Sequence, residues 1–160
     1  MKFLVDQMLG TLAKWLRFFG IDTYYATQSI HDDELLRIAK KENRVLVTRD
    51  KELILRAQKR DIQVIPVFTR DLDEQLKKVL AQTTVDSTQI LSRCSLCNTQ
   101  LISIDKEKVK DKVPENVYQT NETFWICPTC HKIYWRGSHY DKILQKINSL
   151  GASSRNYFLN

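Results

Sequence analysis

Apolar positions along the chain follow two spacings. Phe3-Leu4-Val5 and Val45-Leu46-Val47 are short runs with the length and β-branched content of buried strands. Leu9, Leu12, Ala13, Leu16 and Phe19, like Leu35, Leu36, Ile38 and Ala39, recur at helical intervals instead. Read in order, the pattern predicts a strand at 3–5 ended by Asp6, then a helix over 8–19 with Lys14 and Arg17 on its polar face and Gly20 at its C-cap. A second strand covers 22–26. The next helix is capped by Asp32 or Asp33 and ends at Asn43. The third strand is closed by Thr48-Arg49-Asp50, and a helix follows over 51–59. A fourth strand covers 63–68, with a Pro66 that suits an edge. A helix over 71–81 carries Leu72, Leu76, Val79 and Leu80.

Strands alternating with helices imply an α/β fold: a parallel sheet, flanked by helices, with right-handed crossovers. In that geometry Asp6, the loop 28–33, Thr48–Asp50 and Thr69–Asp71 all follow strands and share one sheet edge. Ligands of open α/β sheets bind outside the carboxyl ends of the strands. Taken singly, each Asp suits a helix cap. Brought together, like charges repel unless a cation neutralises them. Oxygen ligands of this kind suit Mg²⁺ or Mn²⁺, which activate water and clamp an in-line displacement at phosphorus. Arg49, Lys51 and Arg70 stand beside the expected pocket, where they can contact phosphates.

The pattern changes after residue 83. The segment 84–91 is polar and reads as a linker, and every cysteine lies beyond it, in Cys94-x-x-Cys97 and Cys127-x-x-Cys130. Two such knuckles on neighbouring hairpins supply the tetrahedral sulfur set of structural zinc; two redox-active thiol pairs are the other reading. A ribbon this small has little core, so metal binding is folding free energy. Strands are expected over 99–104, 123–126 and 132–135, a lysine-rich turn before the second of them, and a helix over 138–150. His131 and His139 are redundant as zinc ligands, and His139 reads as a polar contact on the ribbon surface. Trp125, Tyr134 and Trp135 either stack bases or pack on the knuckles.

Composition narrows the classes. At 160 residues, 42% hydrophobic and 28% charged, the chain is neither disordered nor membranous, and it has no apolar run near the roughly eighteen residues of a span. MKFLVDQ places an acid after three apolar residues, which reads as a strand rather than a signal peptide. Paired cysteines without an export signal point to the reducing cytoplasm. The net charge is +6, with basic residues exceeding acidic ones by ten to six from Ser87 onward and by fifteen to thirteen before it. That charge favours a polyanionic partner.

MKFLVDQMLGTLAKWLRFFGIDTYYA, DDELLRIAKKENRVLVTRD, RCSLCN and CPTCHKIYWRGSH, in this order, resemble the Mut-seven C-terminal RNase domain family over roughly residues 1–139. The resemblance implies a PIN-like nuclease domain over 1–83, a linker over 84–91, a zinc ribbon with a C-terminal helix over 92–150 and a tail over 151–160. It further implies that Asp6, Asp33 (or Asp32) and Asp50 hold catalytic Mg²⁺ or Mn²⁺, and that Cys94, Cys97, Cys127 and Cys130 hold zinc. Larger PIN nucleases take a fourth acid from a helical insertion that this chain lacks. Asp22 would lie at the wrong end of its strand, which leaves Glu34, Asp71 and Asp73. The implied activity is metal-dependent hydrolysis of RNA, with the ribosome or tRNA as partners. The other readings are a non-catalytic RNA- or ribosome-binding module with a vestigial acidic site, and a protein-interaction adaptor that uses the ribbon.

Overall fold

Four short apolar runs form one parallel sheet: β1 (Phe3–Val5), β2 (Thr23–Tyr25), β3 (Val45–Thr48) and β4 (Val64–Pro66), in the order β2-β1-β3-β4. The computed structural model describes residues 1–27 and 29–151. Gln28 of the loop expected at the sheet edge, and all of the expected tail but Gly151, lie outside the described residues. Pro66 sits on the edge strand, where its missing N–H interrupts no ladder.

Strand alternation sends successive side chains to opposite faces. Phe3, Val5, Val45, Val47 and Ile65 share a core with α1 (Gly10–Phe18) and α4 (Leu72–Leu80). Leu4 and Leu46 pack instead with α2 (Asp32–Lys41) and α3 (Lys51–Lys59). Helix–sheet–helix layering results. The helix over 8–19 is preceded by a 3-10 turn, Gln7–Leu9. Gly20 ends α1 with φ +79°, and Gln89 lies too close for any side chain there. Asn43 ends the second helical segment in the left-handed region, φ +51°. One expectation is corrected at the start of α2. His31 is its N-cap, and Asp32 and Asp33 occupy the first turn without capping it.

The second sheet is antiparallel, β5 (Ile102–Ile104), β6 (Phe124–Ile126) and β7 (Ile133–Trp135), in the order β5-β6-β7. Between β5 and β6 the lysine-rich stretch is more than a turn. It holds a 3-10 turn, Lys106–Val109, anchored by fully buried Val109, and α5 (Glu115–Thr120). The last helix, α6 (Ser138–Ser149), returns to the first core, where Ile143, Ile147 and Leu150 join Phe3 and Leu12. Burying an isoleucine side chain contributes about 1.5–3 kcal/mol, so α6 is held there by apolar packing. Val85 and Ile90, in the polar connecting segment, are buried in the same core.

Candidate active site and metal centre

The strand order places a switch point between β1 and β3. The chain leaves β1 for β2 on one side, then crosses to β3 on the other. A crevice outside the carboxyl ends of the two strands follows from this reversal. Asp6 and Asp50 flank it. Asp6 follows β1 and is 7% exposed; its amide donates to the Val47 carbonyl at 3.0 Å, while its Oδ1 accepts the Gln7 amide at 2.7 Å. Its Oδ2 accepts the Thr48 hydroxyl at 2.8 Å, and that same Oγ1 accepts the amide of Asp50 at 3.0 Å. Thr48 is fully buried and thus fixes one acid to the other. Asp50 caps α3, its Oδ1 accepting the amides of Glu52 and Leu53.

The other predicted acids go elsewhere. Arg56 donates to Asp32 at 2.9 Å and to Asp33 at 2.7 Å, and Arg60 donates to Asp33 at 2.6 Å. These hydrogen bonds, Arg60's first and then Arg56's, together with the charge on Arg56, hold the Asp33 carboxyl below its usual range. Among the described residues Asp6, Asp33 and Asp50 do not form the three-acid cluster expected from sequence, and Arg56 on α3 and Arg60 at its C-cap engage Asp33 instead. Glu34 pairs with Arg37, Asp71 caps α4 through the Glu74 amide, and Asp73 pairs with Lys146. Each candidate fourth acid is already engaged. Arg49, Lys51 and Arg70 all lie at the carboxyl edge as expected, Arg49 half-buried and the others exposed.

Among the described residues, one group of three or more cysteine, histidine or acidic side chains is close enough to share an ion: Cys94, Cys97, Cys127 and Cys130, with all sulfurs within 4.8 Å of one another. The Cys94–Cys130 and Cys97–Cys127 separations are 3.4 Å. A zinc–sulfur length of about 2.3 Å gives a tetrahedral edge near 3.8 Å, so the set fits zinc. Both knuckles close the same way: Asn98 and His131 take left-handed φ values, +69° and +61°, and their amides donate to the carbonyls of Cys94 and Cys127. His131 is a turn residue, not a ligand.

The thiols compete for charge. Burial raises Cys94, but the Tyr134 hydroxyl and the amides of Cys97 and Leu96 outweigh it and bring the thiol down to about 6. An amide from Lys132 lowers Cys130, yet burial and the other sulfurs push it up to about 12. A dication at the centre resolves the conflict by favouring all four thiolates.

Arg17 overturns its expected surface role. It is buried, with Nε donating to the Thr23 carbonyl at 2.9 Å and Nη1 to the carbonyls of Ser95 and Leu96 at 3.1 and 2.8 Å. Asn98 adds a second tie, accepting the Thr23 amide and donating to Asp22. The first knuckle is thus docked onto the start of β2. Tyr134 packs on this knuckle, its hydroxyl 3.1 Å from Cys94 Sγ, whereas Trp125 lies under Arg136. His139 is exposed, as expected of a surface residue, and its ring packs perpendicular to that of Phe18 with centroids 4.8 Å apart.

The family model of the Mut7-C RNAse domain matches residues 1–147. The chain belongs to the Mut7-C RNAse domain family. Membership suggests a nuclease-like function and implies RNA as the substrate class. The four cysteines of this Mut7-C chain can hold a metal such as zinc. No curated protein and no solved structure matches the chain. Among the described residues, no helix is long and apolar enough to cross a membrane.

Sequence reading missed Thr48 as a coupler and Arg17 as a dock. The first was visible as a β-branched hydroxyl residue two positions before a capping Asp. The second left no local signal.

Proposed function

We propose that the protein is a divalent-metal-dependent ribonuclease working at the β1–β3 switch point. The observation that carries this is the Thr48 hydroxyl joining Asp6 to Asp50. Mg²⁺ usually keeps several waters and is held by one or two carboxylates plus substrate phosphates, so two acids fit it, and Mn²⁺ likewise. An ionised carboxylate has about four lone-pair sites, so Asp6 and Asp50 retain acceptor capacity beyond their protein partners. When bound, such an ion activates water and neutralises charge on phosphorus. Asp6 and Asp50 hold it. Arg49, Lys51 and Arg70 bind the flanking phosphates, and Thr48 keeps both acids aimed. Asp32 and Asp33, paired with Arg56 and Arg60, take no part in holding the ion.

The test is a gel cleavage assay on single-stranded RNA, with Mg²⁺ and with Mn²⁺, beside binding titrations. Asp50→Asn preserves the cap, since Asn and Asp are equivalent there, and Asp6→Asn keeps one of the two oxygens that accept from Gln7 and Thr48. Both should abolish cutting while binding persists. Undiminished cutting by either would place the chemistry elsewhere. The ion pairs on Asp32 and Asp33 favour a second reading, a non-catalytic RNA-binding module, which wild-type protein that binds RNA but never cuts it would support.

A further inference from the structure

A second cleft opens where α1, β7 and the start of α6 meet. Its volume is about 310 Å³, near the lower end of the range of roughly 300–1,000 Å³ typical of small-molecule sites. Phe18, Trp135 and His139 line it together with two exposed lysines, Lys14 and Lys132. The acids of the switch point lie elsewhere: Asp6 precedes α1, whereas Phe18 is the last residue of that nine-residue helix, about 13 Å long.

Three features make the cleft selective. Its walls are flat aromatic surfaces. Burial first, and then the charges of Lys14, Lys142 and Lys132, hold His139 below its usual range, so its ring is neutral near pH 7. Every charged group acting on that ring is a lysine, which leaves a concentration of positive charge around an apolar slot. Finally, Gly137 at the cleft is the N-cap of α6 and no side chain caps the helix; the Tyr140 amide donates to the Gly137 carbonyl, and the N–H groups of Ser138 and His139 are left for an anion.

We infer that this cleft binds one unpaired nucleotide of RNA, the base against Trp135 and His139 and its phosphate on Lys14 and Lys132. The choice of RNA rests on the ribonuclease reading; the slot itself rests on the geometry above. An acidic peptide would satisfy the lysines but would leave the aromatic walls unused. Stacking on aromatic rings tolerates every base, so the cleft grips single strands without reading sequence.

The experiment titrates the full-length, zinc-loaded chain, without added Mg²⁺ or Mn²⁺, with adenosine and uridine 5′-monophosphate and a single-stranded hexanucleotide. In ¹H–¹⁵N spectra the Trp135 indole N–H should shift, while that of Trp125, under Arg136, serves as reference. Lys14→Gln with Lys132→Gln should weaken the hexanucleotide and flatten its salt dependence by up to about 0.7 per lost phosphate contact. Trp135→Leu should weaken it at least about fivefold, the lower bound for removing a stacking aromatic.

Gly137→Ala guards against misfolding as an explanation. The backbone at Gly137 is extended (φ −100°), so alanine fits it, and an added methyl would meet the Trp135 indole at 3.0 Å and displace that ring by a few tenths of an ångström, altering the slot. It should reduce binding while the ¹H–¹⁵N spectrum away from the cleft stays that of the folded wild type. The inference is overturned if shifts fall only on the lysine-rich stretch 105–113, if the lysine pair and Gly137→Ala both bind RNA like wild type, if an oligoglutamate peptide displaces the RNA more strongly than mononucleotides do, or if wild type binds none of the RNAs. Loss of cutting in Asp50→Asn, together with no shift at Trp135 when the wild type is titrated, would overturn the cleft and leave the nuclease reading standing alone. Cleft binding by a protein that never cuts would do the opposite.

Discussion

Thr48 donates its hydroxyl to Asp6 at 2.8 Å across the β1–β3 pair. Removing this donor leaves a carboxylate that is 7% exposed with one partner fewer. Thr48→Val preserves shape and strand propensity but deletes the hydroxyl, also stripping the acceptor from the Asp50 amide. A loss of about 1–3 kcal/mol is expected from the stranded groups, with cleavage reduced and RNA binding intact. Thr48→Ser should restore much of the cleavage. Chemical denaturation beside single-turnover cleavage checks both parts, and full activity in Thr48→Val would detach Thr48 from the site.

The zinc prediction follows from the docking of the first knuckle. X-ray absorption should report four sulfur ligands at about 2.3 Å. Because Arg17 and Asn98 bind that knuckle to Thr23, removal of the metal should raise amide exchange beyond the ribbon, first around Thr23 and the end of α1. Arg17→Met should reproduce the effect with zinc still bound, and cost roughly 1–3 kcal/mol for the carbonyls of Thr23, Ser95 and Leu96 left without a donor. Exchange changes confined to β5–β7 would show that the two parts are uncoupled.

Asp22 makes the junction sensitive to acid. Burial pushes its carboxyl up, but hydrogen bonds from Arg44 and Asn98 and the charges of Arg44 and Arg93 outweigh it, so the group ends below its usual range. A folded value lower than the unfolded one gives stabilisation that is complete above the unfolded Asp value of about 3.9 and disappears as pH falls through the folded value. Asp22→Asn should therefore cost stability at pH 7, with the gap to wild type closing below about pH 4. The difference between the two proteins is the readout, since protonation of the cysteines affects both alike. A gap that stays constant down to the folded value would mean that the charge on Asp22 contributes nothing.

Local pattern was enough where chemistry is local. Val45-Leu46-Val47 could be little but a buried strand, and the aspartates after strands were read correctly as marking one sheet edge; Asp50 and Asp71 do cap α3 and α4. The errors share a cause. Asp33 was assigned to a metal cluster because its partners, Arg56 and Arg60, lie more than twenty residues away. Arg17 follows the polar stripe of an amphipathic helix, and only the knuckle almost eighty residues later buries it. Val109 and α5 were hidden within a lysine-rich run whose single deeply buried anchor has no periodic company. Pattern registers which face is apolar, not which distant group will cover a polar one.

The return of α6 to the first core has a consequence for synthesis. Ile143 is fully buried and Ile147 nearly so, against side chains contributed by the first ninety residues. A growing chain that has completed the parallel sheet still exposes the apolar face that α6 will cover. The proposed RNA-cutting edge is therefore assembled on an unfinished body, and its final packing waits until translation has passed residue 147. Closure of the first core is then a late event in the life of the polypeptide, reached only after both cysteine knuckles have emerged.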